Sequence, residues 1–243
     1  MAVYRSLILL AFASCVLSEG GTLFNPCSKN DIKCLSGATE SFLEKTSNGF
    51  PDYKIKAIDP LIIPELKVVV DEGLGLVFDF KNINITGLKR QQISDFKMDT
   101  DKKSVVLKTK AVLNIVGDVK IEFAKQNKVF NGAYTASTTA IGSSQYGYSF
   151  KKKDDKDYFV VGPEVNTCEI IGEPNVDIGD DLQKALNSDS DAQALKPGYE
   201  TNKVALRKKT LCHIVEAAYV TVIHNIRAIA DIFPKEAFFT DIY

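Results

Sequence analysis

Residues 202–233 read NKVALRKKTLCHIVEAAYVTVIHNIRAIADIF, about thirty residues without a glycine or proline to interrupt a helix. Leu211, Val215, Ala218, Val222, Ile226, Ile229 and Phe233 step along it by threes and fours, the spacing of an apolar helical stripe. At 1.5 Å per residue such a helix would reach about 45 Å, longer than the average in a globular domain. Ile214, Tyr219, Ile223 and Ile232 widen the stripe, so cover is expected on more than one side. Pro234 ends the run. A shorter helical pattern, LQKALNSD, precedes it.

The covering layer is written upstream. From Tyr53 to about Val165 the apolar period changes from three or four to two. Val105, Leu107, Ala111, Leu113 and Ile115 alternate with Val106, Lys108, Lys110, Val112 and Asn114, and Val119, Ile121 and Phe123 continue the series. LGLVFDFKNINITGL adds another long strand, with GLGL at 73–76 as a bend. Asp101-Lys102, Gly117-Asp118 and Asn131-Gly132 suit turns or bends, and KKKDDK at 151–156 suits a solvated hairpin tip. The segment reads as a long antiparallel meander. Before it, DIKCLSGATESFLEKTSNGFP places Ile32, Leu35, Thr39 and Phe42/Leu43 at helical intervals, and Asn48-Gly49 with Pro51 stops the helix. The fold class is therefore α+β: a long C-terminal helix wrapped by a highly curved antiparallel sheet, with a short N-terminal helix leaning on it.

MAVYRSLILLAFASCVLS has the parts of a secretory signal: Arg5, an apolar core Leu7–Val16, and small residues before a cut expected after Ser18. The apolar run is too short to span a bilayer. Residues 19–243 are then enough for one large domain or two small ones. The chain carries a formal charge of −1 and loses one positive charge with Arg5, so no basic field invites nucleic acid and that partner is set aside. Of five cysteines, Cys15 leaves with the leader. An even remainder in an exported chain argues for two disulfides, with three possible connectivities; Cys27–Cys34 and Cys168–Cys212 are the expected pairs. Asn84-Ile85-Thr86 is a glycosylation sequon made usable by export.

Catalytic and metal signatures fail in turn. No Gly-x-Ser-x-Gly elbow is present. His213 and His224 share roughly one helix face but lie about 16 Å apart, too far to hold one metal together. NSDSDAQAL lacks the glycine and final glutamate of a calcium loop. The reading is a binding protein, not an enzyme, without cofactor or metal. Its sharpest clue is IGSSQYGYSF, residues 141–150, where Tyr146, Tyr148 and Phe150 share one face of a strand. A phenol turned inward keeps a hydroxyl that needs a partner.

Cys27 and Cys34 flanking SKNDIK, then LEKTSNGFPDY, IDPL, FKNINITGLKRQQISDFKMD, VVLKTKAVLNIVGD, QYGY and VIHNIRAIA resemble the insect haemolymph juvenile hormone-binding proteins, over essentially the whole mature chain. The broader takeout-like group shares the paired N-terminal cysteines and the Asp-Pro-Leu region. The resemblance implies a single tubular lipid-binding domain and a secreted, monomeric haemolymph carrier of juvenile hormone, with no stable membrane insertion. The alternative is a takeout-like carrier of another small lipid or odorant. It further implies that Tyr146 donates to the hormone's epoxide oxygen and that about Ile32–Lys45 forms a gate, with Leu35, Phe42 and Leu43 as contacts. Phe159 would be a pocket ring, Phe238 and Phe239 a pair beside the gate, and Tyr148 a neighbour.

Overall fold

The computed structural model describes residues 24–242; the expected leader and its cut lie outside the described residues. The chain runs through helix α1 (Ile32–Thr46), strands β1 (Leu61–Asp71), β2 (Leu76–Thr86), β3 (Gln92–Asp99), β4 (Ser104–Phe123), β5 (Lys128–Lys153) and β6 (Lys156–Asp177), and helices α2 (Asp180–Ser188) and α3 (Ser190–Ile232). Among the described residues the six strands form one antiparallel sheet in the order β1-β2-β4-β5-β6. β2 and β3 share one edge of β4: β2 pairs with it from Asn114 to Phe123, β3 from Ser104 to Lys110. β4 and β5 pair over their whole shared length, from Ser104↔Gly147 to Phe123↔Lys128.

The sheet curls because α3 is fastened to both of its edges. On one side the Lys209 ammonium donates to the Val70 carbonyl of β1 (3.0 Å). On the other, Cys212 is disulfide-bonded to Cys168 of β6, and Arg227 donates to the Gly162 carbonyl (2.6 Å) and pairs with Glu164. Leu211, Ile214, Val215, Ala218 and Ile223 of the helix are sealed from solvent, with contacts spread around it.

Two expectations about strand ends are corrected. Gly117-Asp118 and Asn131-Gly132 do not turn; they lie inside β4 and β5. Gly117 sits where β2 bulges between Lys81 and Asn84, and a Cβ there would meet the Lys81 carbonyl at 3.1 Å. Gly132 makes way for Leu182 of α2, which a Cβ would strike at 2.5 Å. Both glycines serve close packing across the strand. The turn after β4 falls instead just before Lys128, where Asn127 takes a positive φ of 53°. β6 also extends past Val165 to Asp177.

α3 is longer than its uninterrupted run. It starts at Ser190, where the Asp189 carboxylate accepts from the Asp191 and Ala192 amides (both 3.0 Å), and continues through Pro197. The carbonyl that Pro197 cannot bond is that of Gln193; both residues are exposed, so water can satisfy it. Ala192, Leu195 and Tyr199 meanwhile pack inward, which holds the first turns in place.

Candidate functional site

Between α1 and the α3 end of the sheet lies a cavity of about 220 Å³. Its floor is period-two sheet: Val105 and Leu107 on β4, opposite Tyr146 across the ladder (Val105↔Tyr146), with Phe159 on β6 and Phe96 on β3. Val222, Ile226 and Ile229 of α3 form one side, and α1 the roof through Leu35, Phe42 and Leu43. The C-terminal segment closes the end with Phe238 and Phe239. All eight residues singled out in the sequence line this one cavity. Tyr148 and Phe159 stand edge to face at 5.3 Å, Phe159 meets Phe239 at 5.9 Å, and Phe96 stacks on Phe239 at 5.9 Å.

α1 is tied at its ends. Asp31 caps it by accepting from the Cys34 amide (2.9 Å), and the Cys27–Cys34 disulfide secures its first turn. Cys27 is bonded both ways to the C-terminal segment, its amide to the Phe238 carbonyl (3.1 Å) and its carbonyl to the Thr240 amide (3.0 Å). Asp241 accepts from the Ser28 hydroxyl (2.7 Å) and the Lys29 amide (2.9 Å), contacts that hold its carboxyl below the usual range. At the far end the Ser47 carbonyl accepts from the Ile58 and Asp59 amides. Between these anchors only Phe42, Leu43 and Thr46 of α1 are buried.

The polar groups on the wall differ in how they are satisfied. Thr109 donates to the Gln91 amide oxygen (2.8 Å) and is bonded to the Tyr219 hydroxyl. Asn225 uses both ends of its amide on Lys56, accepting from its amide and donating to its carbonyl, each at 2.8 Å. Tyr146 is 8% exposed, and no hydrogen bond among the described residues engages its hydroxyl. Burial raises its pKa above the ordinary phenol value, with the Arg227 charge acting weakly the other way. Arg227 itself is committed to Glu164 and to the Val161 and Gly162 carbonyls. Tyr146 is thus a neutral donor facing hydrocarbon, suited to an apolar molecule with an isolated acceptor oxygen.

Sequence reasoning missed several wall residues. Val105 and Leu107 carried their signal in the alternation, and Asn225 in being a polar residue on the apolar stripe. Phe24, which stacks on Phe42 at 5.2 Å and meets Phe238 at 5.0 Å, gave none. His213 lies outside, 3.4 Å from Glu216, and His224 is 3.2 Å from the Lys54 carbonyl. Among the described residues no helix is long and apolar enough to cross a membrane.

A sheet curled around one helix, with an apolar chamber under a short second helix, defines a binding protein for small apolar molecules. The same architecture is seen in Takeout 1 of Epiphyas postvittana, whose crystal structure superposes with a TM-score of 0.72 at 17% identity, covering 88% of this chain and 99% of that one. The family model for haemolymph juvenile hormone binding protein matches residues 7–137. The juvenile hormone-binding protein of Manduca sexta is 52% identical over 229 residues, 93% of this chain and all of that one. The chain belongs to the haemolymph juvenile hormone-binding protein family.

Proposed function

We propose that the protein, as residues 19–243 released from a leader at 1–18, is a secreted monomeric carrier of juvenile hormone, an apolar sesquiterpenoid with an epoxide and a methyl ester. The relation to the Manduca sexta protein supports this reading. The observation that carries it is the Tyr146 hydroxyl, buried on an apolar wall without a protein acceptor. An epoxide oxygen on a hydrocarbon chain is the kind of lone acceptor such a donor selects.

Burial supplies most of the affinity. Removing about 400 Å² of apolar ligand surface from water is worth roughly 10 kcal/mol at about 25 cal/mol/Å², of which association and ordering of α1 take back several. The tyrosine bond adds about 0.5–1.5 kcal/mol. Its larger effect is on orientation and selectivity, since a ligand lacking the acceptor leaves a buried hydroxyl unpaired. Leu35, Phe42 and Leu43 move with α1 as it admits the ligand, and Phe238 and Phe239 close behind it. The protein carries and shields the hormone without turning it over, so hormone recovered after incubation is intact. Asn84, on the outer face of β2 between the exposed Ile62 and Val116, carries a glycan.

Tyr146→Phe tests the assignment. Affinity for the epoxide-bearing hormone falls roughly tenfold while that for the olefin analogue barely changes. Equal losses for both ligands would remove the role given to Tyr146. Competition between labelled hormone and other lipids separates this reading from a takeout-like carrier with a different cargo.

A further inference from the structure

The chamber beneath α1 has a second unmet donor on its wall. Gln91 lines it at 3% exposure. The backbone there is set where β3 begins. Asp59 accepts from the Gly87 and Lys89 amides (3.0 and 2.9 Å), Leu88 is fully buried, and the Gln91 backbone amide donates to the Leu88 carbonyl (3.1 Å). The side chain is set by a relay. The Thr109 hydroxyl gives its single hydrogen to the Gln91 side-chain oxygen (2.8 Å), so the Tyr219 hydroxyl bonded to Thr109 is the donor of that pair. The relay ends on the Gln91 side-chain nitrogen, whose two hydrogens meet no acceptor among the described residues.

The other polar groups of the wall do not share this position. Thr46 donates to the Phe42 carbonyl (2.8 Å), and both ends of the Asn225 amide are used on Lys56. Thr39 is half-buried on α1, and Asn25 is exposed. Tyr148 lies further along β5, on the far side of Tyr146 from the Thr109↔Gly142 pair, where the Asp99 charge acts on it. Among the described residues no charged side chain lines the chamber, so the acceptor that suits Gln91 is a neutral oxygen. A buried N–H pair left without one costs free energy that a ligand carbonyl recovers.

We propose that Gln91 is the second polar anchor of the hormone site, its side-chain nitrogen donating to the ester carbonyl while Tyr146 holds the epoxide. The inference rests on the carrier reading and adds to it the direction in which the ligand lies. Thr109 and Val105 are four positions apart on the inner face of β4, about 13 Å at 3.3 Å per residue. Thr109 holds Gln91, and Val105 is paired with Tyr146. The two oxygen functions of the hormone sit at the ends of a chain of about ten carbons, which spans about 11 Å when extended. The two donors are therefore spaced for the two ends of one molecule. The ester lies at the Thr109 end of the chamber and the epoxide at the Phe159 end.

The probes are the hormone and its methyl ether analogue, which keeps the chain and epoxide but lacks the carbonyl. Affinities are read by competition against labelled hormone on the mature chain, as wild type, Gln91→Met and Tyr146→Phe. Methionine keeps the length and apolar fit of the side chain but donates nothing. The wild type binds the ester about tenfold more tightly than the ether. Gln91→Met binds the ester about tenfold more weakly, binds the ether as the wild type does, and so loses the preference. Tyr146→Phe weakens both ligands and keeps their ratio. Hormone with an isotope-labelled ester carbonyl gives a further readout on the wild type alone, which decides the matter should Gln91→Met fail to fold: its carbonyl stretch lies below the value in hexane. Equal affinity of the wild type for ester and ether, an ester preference that survives in Gln91→Met, or a carbonyl stretch at the hexane value would each overturn the proposal while leaving the carrier reading in place. Failure of both ligands to bind the wild type would overturn the carrier reading and this inference with it.

Discussion

At the scale of single residues, the shape of this interior is set as much by missing atoms as by present ones. Gly142 of β5 lies under the Tyr219 ring so closely that a Cβ would fall 2.1 Å from its Cζ. Tyr219 is in turn fixed by Thr109, and Thr109 by Gln91, so the ring has nowhere to retreat. Gly142→Ala is expected to cost about 1–3 kcal/mol by overpacking, read as a lowered urea midpoint with an unchanged slope; a midpoint equal to the wild type would mean the ring can move aside. Tyr146 was legible because two more aromatics follow it at period two in QYGYSF. Gln91 was not, since a polar residue at the start of a strand marks nothing. The same grammar misled at Gly117 and Gly132: a glycine beside an aspartate or asparagine carries the letters of a turn, but here each makes room for a partner from a distant part of the chain, which no local pattern records.

Elements add constraints that residues alone do not. The alternation in β4 holds its inner face from Val105 to Phe123 without a slip, and that is why the sheet and its inward residues could be read from period two. α3 was read too short, since Pro197 and Gly198 look like a stop while the inward packing of Ala192, Leu195 and Tyr199 overrides them. α1 is held mainly at its two ends. Pinned by the Cys27–Cys34 bridge, by Asp241 and by Ser47, it rests over a chamber through few buried side chains. Hormone is therefore expected to slow backbone hydrogen exchange across residues 32–45, while amides in the sealed middle of α3, around Leu211–Ile223, change little. Uniform protection of both helices, or none at α1, would argue against an opening roof.

On the scale of the whole molecule, one helix and one sheet make a tube with a chamber at each end, and the packing of small residues of β5 against α3 keeps the two apart. The first chamber was within reach of the sequence through the family resemblance, which implied the places of Phe159, Phe238, Phe239 and α1, while period two alone marked only the shared face of Tyr146, Tyr148 and Phe150. The second draws its wall from six elements, β2, β4, β5, β6, α2 and α3, so its lining comes together only after folding. Hormone carriage requires the first chamber to be a ligand site. A crystal structure of the protein with juvenile hormone tests it directly: density for one molecule is expected between α1, Tyr146 and the Phe238–Phe239 pair, with the epoxide oxygen about 3 Å from the Tyr146 hydroxyl. Hormone bound elsewhere, or a chamber filled by inward-turned side chains with no hormone density, would contradict it.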